Sequence, residues 1–249
     1  MGEHIEISRD GAVQVLRMNR PDKKNAITRA MYGVMAAALR SGDADPAIRC
    51  HVILGVPGAF SSGNDLADFM TVAMGGEQGM EVFDFLVALA TAQKPVVSGA
   101  DGIAVGIGTT IHFHCDLTFA TPRTLFRTPF VDLGLVPEAG SSLLAPALMG
   151  NQRAFALLCL GEGLSAEDAK ACGLIHKVSD ESGLEADVMA AALAIAAKPP
   201  EAMKLSRDFL RGDRSALVSR IEAEGRAFRE RLSSDEARQA FVAFMSRKK

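Results

Sequence analysis

The sequence predicts an α/β fold in which strands and helices alternate first and helices continue alone afterwards. Three observations carry that expectation. Short apolar or β-branched runs, such as His51-Val52-Ile53-Leu54 and Lys94-Pro95-Val96-Val97, are bounded by glycine, proline or polar residues. Between such runs apolar residues recur at helical spacing, as at Met31, Val34, Met35, Ala38 and Leu39. From Leu184 onward only the helical pattern remains, with Pro199-Pro200 as a break before the terminal helical segment.

Taken in order, 5–8 and 12–18 are β-like runs separated by Arg9-Asp10-Gly11, whose Asp-Gly pair is a hairpin signal. The second run ends in a polar loop, Asn19-Arg20-Pro21-Asp22-Lys23-Lys24-Asn25-Ala26. Thr28 is placed as the N-cap of the next helix and Ser41-Gly42 as its stop. The strand at 51–54 delivers the chain into Pro57-Gly58-Ala59-Phe60-Ser61-Ser62-Gly63-Asn64-Asp65-Leu66, a small-residue loop leading towards a helix. Residues 71–79 are aperiodic and read as the mobile segment. Val82, Phe83, Phe85, Leu86 and Leu89 then mark an amphipathic helix. The strand from Lys94 enters Gly102-Ile103-Ala104-Val105-Gly106-Ile107-Gly108, a second loop of the same design. Residues 109–114 read as helical, 116–120 and 124–126 as strands, and Leu143, Leu144, Ala147 and Leu148 as a helix ending at Gly150. Helix continues over 151–160. Ser165-Ala166-Glu167-Asp168 is a capping-box-like start with Gly173 as its stop, and 174–178 return to a strand.

At 249 residues, with 48% hydrophobic and 23% charged side chains, the chain can bury one substantial core. The net charge of −3 gives no basic footprint, which argues against nucleic acid or a membrane surface as partners. Cys50, Cys115, Cys159 and Cys172 are far apart and read as free thiols in a reducing compartment. No signal-peptide pattern and no membrane-length apolar run are present, so a cytoplasmic location is expected.

Function is sought in the stretch 94–140. Glycines between a strand and a helix let the backbone approach a ligand, and a helix start offers unpaired N–H donors to a developing anion. The pattern at 102–108 is G-x-x-x-G-x-G, neither the dinucleotide fingerprint nor a P-loop, and on local grounds it is equally a device for tight strand–helix packing. His112, His114, Cys115 and Asp116 invite a metal, but helical residues two apart face different ways, so a packed histidine and a buried cysteine are preferred and no metal is expected. Ser141-Ser142 lacks the G-x-S-x-G elbow of a hydrolase. Glu138 follows Pro137 where an apolar helix could begin; it is either a base held in fixed geometry or ordinary dipole complementation.

Several segments together resemble the crotonase, or enoyl-CoA hydratase/isomerase, superfamily. They are Asn19-Arg20-Pro21 with Asn25-Ala26, Phe60-Ser61-Ser62-Gly63-Asn64-Asp65-Leu66, the stretch from Lys94-Pro95 to Gly108, Cys115-Asp116, and Pro137-Glu138-Ala139-Gly140, in family order along nearly the whole chain. The resemblance implies a crotonase-like ββα spiral core over 1–195 and a C-terminal helical trimerisation region over 196–249, assembled as a homotrimer or a dimer of trimers. It implies an acyl-CoA thioester substrate, with coenzyme A part of that substrate and no separate cofactor. The thioester oxygen would receive the backbone N–H groups of Ser62 and Ile107, the latter after Gly106. Lys23, Lys24, Asn25 and Ala26 would lie near the adenine and phosphates, while Ser61, Gly63, Asn64, Asp65 and Leu66 would line the thioester and pantetheine. Arg247 and Lys248 fall near a basic site that reaches CoA phosphates.

Departures from the family pattern select the chemistry. Family hydratases hold water with two glutamates, whose positions here look like Thr110 and Phe130. The carboxylate stands instead at Glu138, a placement that resembles peroxisomal-type Δ3,Δ2-enoyl-CoA isomerases, as do Ser62-Gly63-Asn64-Asp65-Leu66 and Thr128-Pro129-Phe130. Dienoyl-CoA isomerases place an acid about there too, paired with one at the Phe130 position. The expectation is a single acid/base, Glu138, whose pKa is raised by an apolar wall including Phe130. The alternatives are a hydratase or other enolate-forming acyl-CoA enzyme, and a non-catalytic acyl-CoA-binding subunit.

Overall fold

The computed structural model describes residues 4–68 and 79–246. The segment expected to be mobile, apart from Gly79, and the basic pair Arg247 and Lys248 lie outside these residues. Strand β1 (Ile5–Asp10) and strand β2 (Val13–Met18) pair antiparallel around Gly11, whose φ of +56° suits a residue without Cβ. Strands β3 (Cys50–Leu54), β5 (Val96–Ala100), β7 (Leu117–Ala120) and β10 (Lys177–Val178) extend that sheet with parallel pairing, in the order β1-β2-β3-β5-β7-β10. A second sheet, in the order β4-β6-β8-β9, joins β4 (Ala59–Ser61), β6 (Ile103–Val105) and β8 (Leu125–Arg127) in parallel with an antiparallel β9 (Leu164–Ser165). Thus β3 leads to β4, β5 to β6, and β7 to β8: each turn of the chain leaves one strand in each sheet before passing to helical structure. That repetition is a ββα spiral.

The larger sheet is covered on both faces, which is why β3 and β5 are buried at every position, His51 and Ser98 included, and show no in–out alternation. Leu16, Met18 and Ile53 pack with Met35 and Leu39 of the helix Arg29–Ala44 and with Phe85 and Leu89 of the helix Glu81–Ala90. On the opposite face Val13, Val52, Leu54 and Val97 meet Leu184, Val188 and Ala192 of the helix Leu184–Ala196. Thr28 does cap the first helix, its side chain accepting from the Met31 N–H. That helix runs past the expected stop to Ala44, because Gly42 serves packing instead: a Cβ there would lie 2.3 Å from Gln14 Oε1 and 2.5 Å from His51 Cε1.

Two other expectations need correction. The small-residue loops each contain a three-residue strand, β4 and β6, too short for any period to register. Of the run 174–178, only Lys177–Val178 pairs as a strand. The C-terminal helices Pro200–Arg211, Ser215–Leu232 and Asp235–Ser246 follow. Leu217, Ile221, Phe228 and Leu232 belong to the same apolar cluster as the sheet core. The first of the three is pinned by buried Arg207, which donates from Nε to Asp116 at 2.9 Å and from Nη1 to the Ala92 carbonyl at 2.6 Å.

Candidate active site

The polar loop after β2 is built around Asn25, which is fully buried at φ +53°. Its Nδ2 donates to the carbonyls of Met18, Ala59 and Phe60 at 3.2, 3.0 and 3.1 Å, and its Oδ1 accepts the Arg20 N–H at 2.7 Å. Ser61, also fully buried, donates its hydroxyl to the Asn25 carbonyl and accepts the Gly63 N–H. Asp65 is bound by Arg20 at 2.5 Å; burial opposes its ionisation, but the Arg20 and backbone hydrogen bonds hold its carboxyl below the usual range. Asn25, Ser61 and Asp65 therefore spend their side-chain polar atoms on holding the loop. The Lys23 and Lys24 side chains remain exposed beside Ala26, and Leu66 is exposed as well.

Ser62 was expected to offer its N–H to the substrate, but that group donates to the Lys24 carbonyl at 2.8 Å. An N–H without a partner among the described residues lies two residues on, at Asn64. Ile27 donates to the Gly63 carbonyl and accepts from the Asp65 N–H, so the intervening Asn64 turns its own N–H away from Ile27, where it meets no acceptor among the described residues. The buried Tyr32 hydroxyl donates to Asn64 Oδ1 and fixes that side chain. Ile107 occupies the first position of the short helix Ile107–Thr110, directly after Gly106 at φ +57°, and its N–H has no carbonyl one turn earlier to pair with. The two loops touch backbone to backbone: a Cβ on Gly63 would fall 2.9 Å from the Val105 carbonyl oxygen, and one on Gly108 would fall 2.7 Å from that of Ser61.

Glu138 does not stand in a helix. The helix Ser141–Met149 begins three residues later, after Ala139 at φ +61° and Gly140 at φ +69°. This turn is held from three sides. The Thr110 hydroxyl donates to Glu138 Oε1 at 2.6 Å. His114 Nε2 lies 2.7 Å from the Ala139 carbonyl, which can only accept, so Nε2 carries the proton; burial lowers this imidazole to about 4 and keeps it neutral. Glu224, from the helix Ser215–Leu232, accepts the N–H groups of Gly140 at 2.6 Å and Ser142 at 3.0 Å, capping the helix that Glu138 was expected to begin. His112 turns elsewhere, with Nδ1 2.9 Å from the Ser98 hydroxyl, so the two histidines serve separate contacts.

Burial is the main reason the Glu138 carboxyl is pushed up to about 8; the Thr110 hydrogen bond pulls against it and the charge of Glu224 adds to it. Glu138 opens onto a cavity of about 350 Å³ whose apolar walls are Val82, Phe83 and Leu86 on one helix and Ile221 and Phe228 on another. Asn64 lines the same cavity. Phe130, expected in that wall, is buried in the core and is not among the residues lining this cavity. Glu224, the Asn64 N–H and the role of Thr110 were not read from the sequence. Asn64 is named by the family motif without its N–H, whereas nothing in the helical pattern around Glu224 marks that residue.

A family model described as "Enoyl-CoA hydratase/isomerase" matches residues 8–249. The chain is similar to enoyl-CoA delta isomerase 2 of Rattus norvegicus, 34% identical over 98% of this chain and 64% of that protein, so it spans less than two thirds of that relative. It is similar to 1,2-epoxyphenylacetyl-CoA isomerase of Escherichia coli, 29% identical over 100% of this chain and 97% of that protein. Among solved structures, OdaA of Pseudomonas aeruginosa superposes with a TM-score of 0.93 at 40% identity, covering 98% of this chain and 99% of that one.

Proposed function

Because the chain belongs to the enoyl-CoA hydratase/isomerase family and has its crotonase fold, we propose that it moves the double bond of a 3-enoyl-CoA thioester from C3 to C2, with Glu138 as the single acid and base. One observation carries this reading: a lone buried carboxyl, with its pKa raised to about 8, faces an apolar cavity. The other glutamate on that cavity, Glu222, is exposed, and Glu224 is engaged by backbone N–H groups. Adding water requires a second group to hold it, and Thr110 already gives its hydroxyl proton to Glu138.

In the reaction the Glu138 carboxylate takes a proton from C2. The electron pair delocalises onto the thioester oxygen as an enolate, and the carboxylic acid returns the same proton at C4, leaving the double bond between C2 and C3. Charge on the oxygen would be met by the N–H groups of Ile107 and Asn64, and each such donor is worth about 2.7 to 4 kcal/mol in a preorganised site. The apolar walls exclude water from the enolate and suit an acyl chain, while Lys23 and Lys24 are free to meet the CoA phosphates. The name of the rat relative supports the isomerase reading.

The test uses Glu138→Gln with 3-enoyl-CoA and crotonyl-CoA in heavy-oxygen water. Wild type is expected to form 2-enoyl-CoA without oxygen incorporation, and the variant to lose at least about a thousandfold in rate while still binding the ester. Full isomerase activity in the variant would refute the role of Glu138, and rapid oxygen incorporation by wild type would make the protein a hydratase.

A further inference from the structure

Gly225 lies in the interior of the 18-residue helix Ser215–Leu232, where glycine weakens a helix relative to alanine. Its conformation is ordinary helix, so no left-handed backbone demands it. Packing does not demand it either: a Cβ there would meet only the tip of Arg229, with Nη1 at 3.7 Å. Gly42, also helical, is the contrast, because a Cβ would collide with Gln14 and His51. What Gly225 does border is the cavity. It sits where the apolar wall of Ile221 and Phe228 gives way to an exposed rim of Glu222, Arg226 and Arg229. Its neighbour Glu224 ties this part of the helix to the Glu138 turn, so the gap stands in fixed register with the carboxylate.

The geometry points to Gly225 as the residue that sets acyl-chain length: the missing side chain leaves a passage by which the tail of a long acyl-CoA runs from the apolar wall out past the charged rim. This rests on the acyl chain occupying the cavity, as in the function proposed above, but not on any reaction there. The test is therefore a binding measurement. Saturated acyl-CoA esters from butanoyl to tetradecanoyl are titrated calorimetrically into wild type and into Gly225→Ala, Gly225→Met and Gly225→Leu, with thermal unfolding of each.

Wild-type affinity should rise about fourfold per added methylene along the apolar wall. Gly225→Ala should melt higher and keep the same profile, since its Cβ fits. Gly225→Met and Gly225→Leu should bind the short esters as wild type does and lose about tenfold or more on the longest, the equivalent of about two methylenes or more. An unchanged length profile in a folded Met or Leu variant would overturn the inference. Because no turnover is read, an absence of isomerisation would refute the isomerase reading and leave this result to stand or fall separately.

Discussion

Replacing Thr110 by valine removes one atom pair from the site. In the wild type the hydroxyl donates to Glu138 Oε1 at 2.6 Å, with both side chains buried. That bond favours the ionised carboxylate, so its loss must raise the carboxyl pKa. A hydrogen bond to a charged group is worth about 1.5 to 3 kcal/mol, which is about one to two pH units. From about 8 in the wild type, the inflection in kcat/KM for 3-enoyl-CoA should move up by that amount. A base works ionised, so activity falls as pH drops below the inflection. At pH 7.5 roughly a quarter of the wild-type carboxyl is ionised; the variant should retain about a tenth to a hundredth of that fraction and of the rate. Activity should return as pH approaches the new inflection, and Thr110→Ser should restore the wild-type profile. The assay is formation of the conjugated thioester followed from pH 6 to 10. A Thr110→Val profile with an unmoved inflection, or a loss equal at every pH, would refute the role given to this hydroxyl.

Two further outcomes follow from groups outside the reacting centre. Glu224→Gln removes the charge that raises the Glu138 pKa and leaves an amide that cannot accept both N–H groups. The pH–rate inflection should fall while stability drops by about 1 to 3 kcal/mol, read by urea unfolding; an inflection that stays or rises would contradict it. Asn25→Ala removes three hydrogen bonds to backbone carbonyls, of which that of Ala59 keeps the Val56 N–H, and the acceptor of the Arg20 N–H. It should cost about 3 kcal/mol or more of unfolding free energy, and a loss under about 1 kcal/mol would mean that the loop holds without it.

Elements with a sustained period are legible in the amino-acid sequence: the hairpin around Gly11, the helix capped by Thr28, the buried β3 and β5, and the all-helical end. Strands β4 and β6 are not, since three residues carry no periodicity and their pairing lies with each other and with β8. The family motifs point to the two loops that meet beside Glu138 but not to which N–H in the first loop is left unpaired. Gly63, at φ +94°, interrupts the extended chain between Ser62 and Asn64, so telling their N–H groups apart requires knowing which of them Lys24 has already taken. Thr110 looks disabling when judged by what a hydratase needs; its value is visible only across the 2.6 Å to Glu138.

The cap supplied by Glu224 also sets an order of events. Gly140 and Glu224 are 84 positions apart in the chain. At synthesis rates of about 5 to 20 residues per second, the turn bearing Glu138 exists for roughly 4 to 17 seconds before its cap is made. Until then Val82, Phe83 and Leu86 lack the facing Ile221 and Phe228. One late docking event thus both covers the apolar wall of Val82, Phe83 and Leu86 and fixes the turn that carries Glu138.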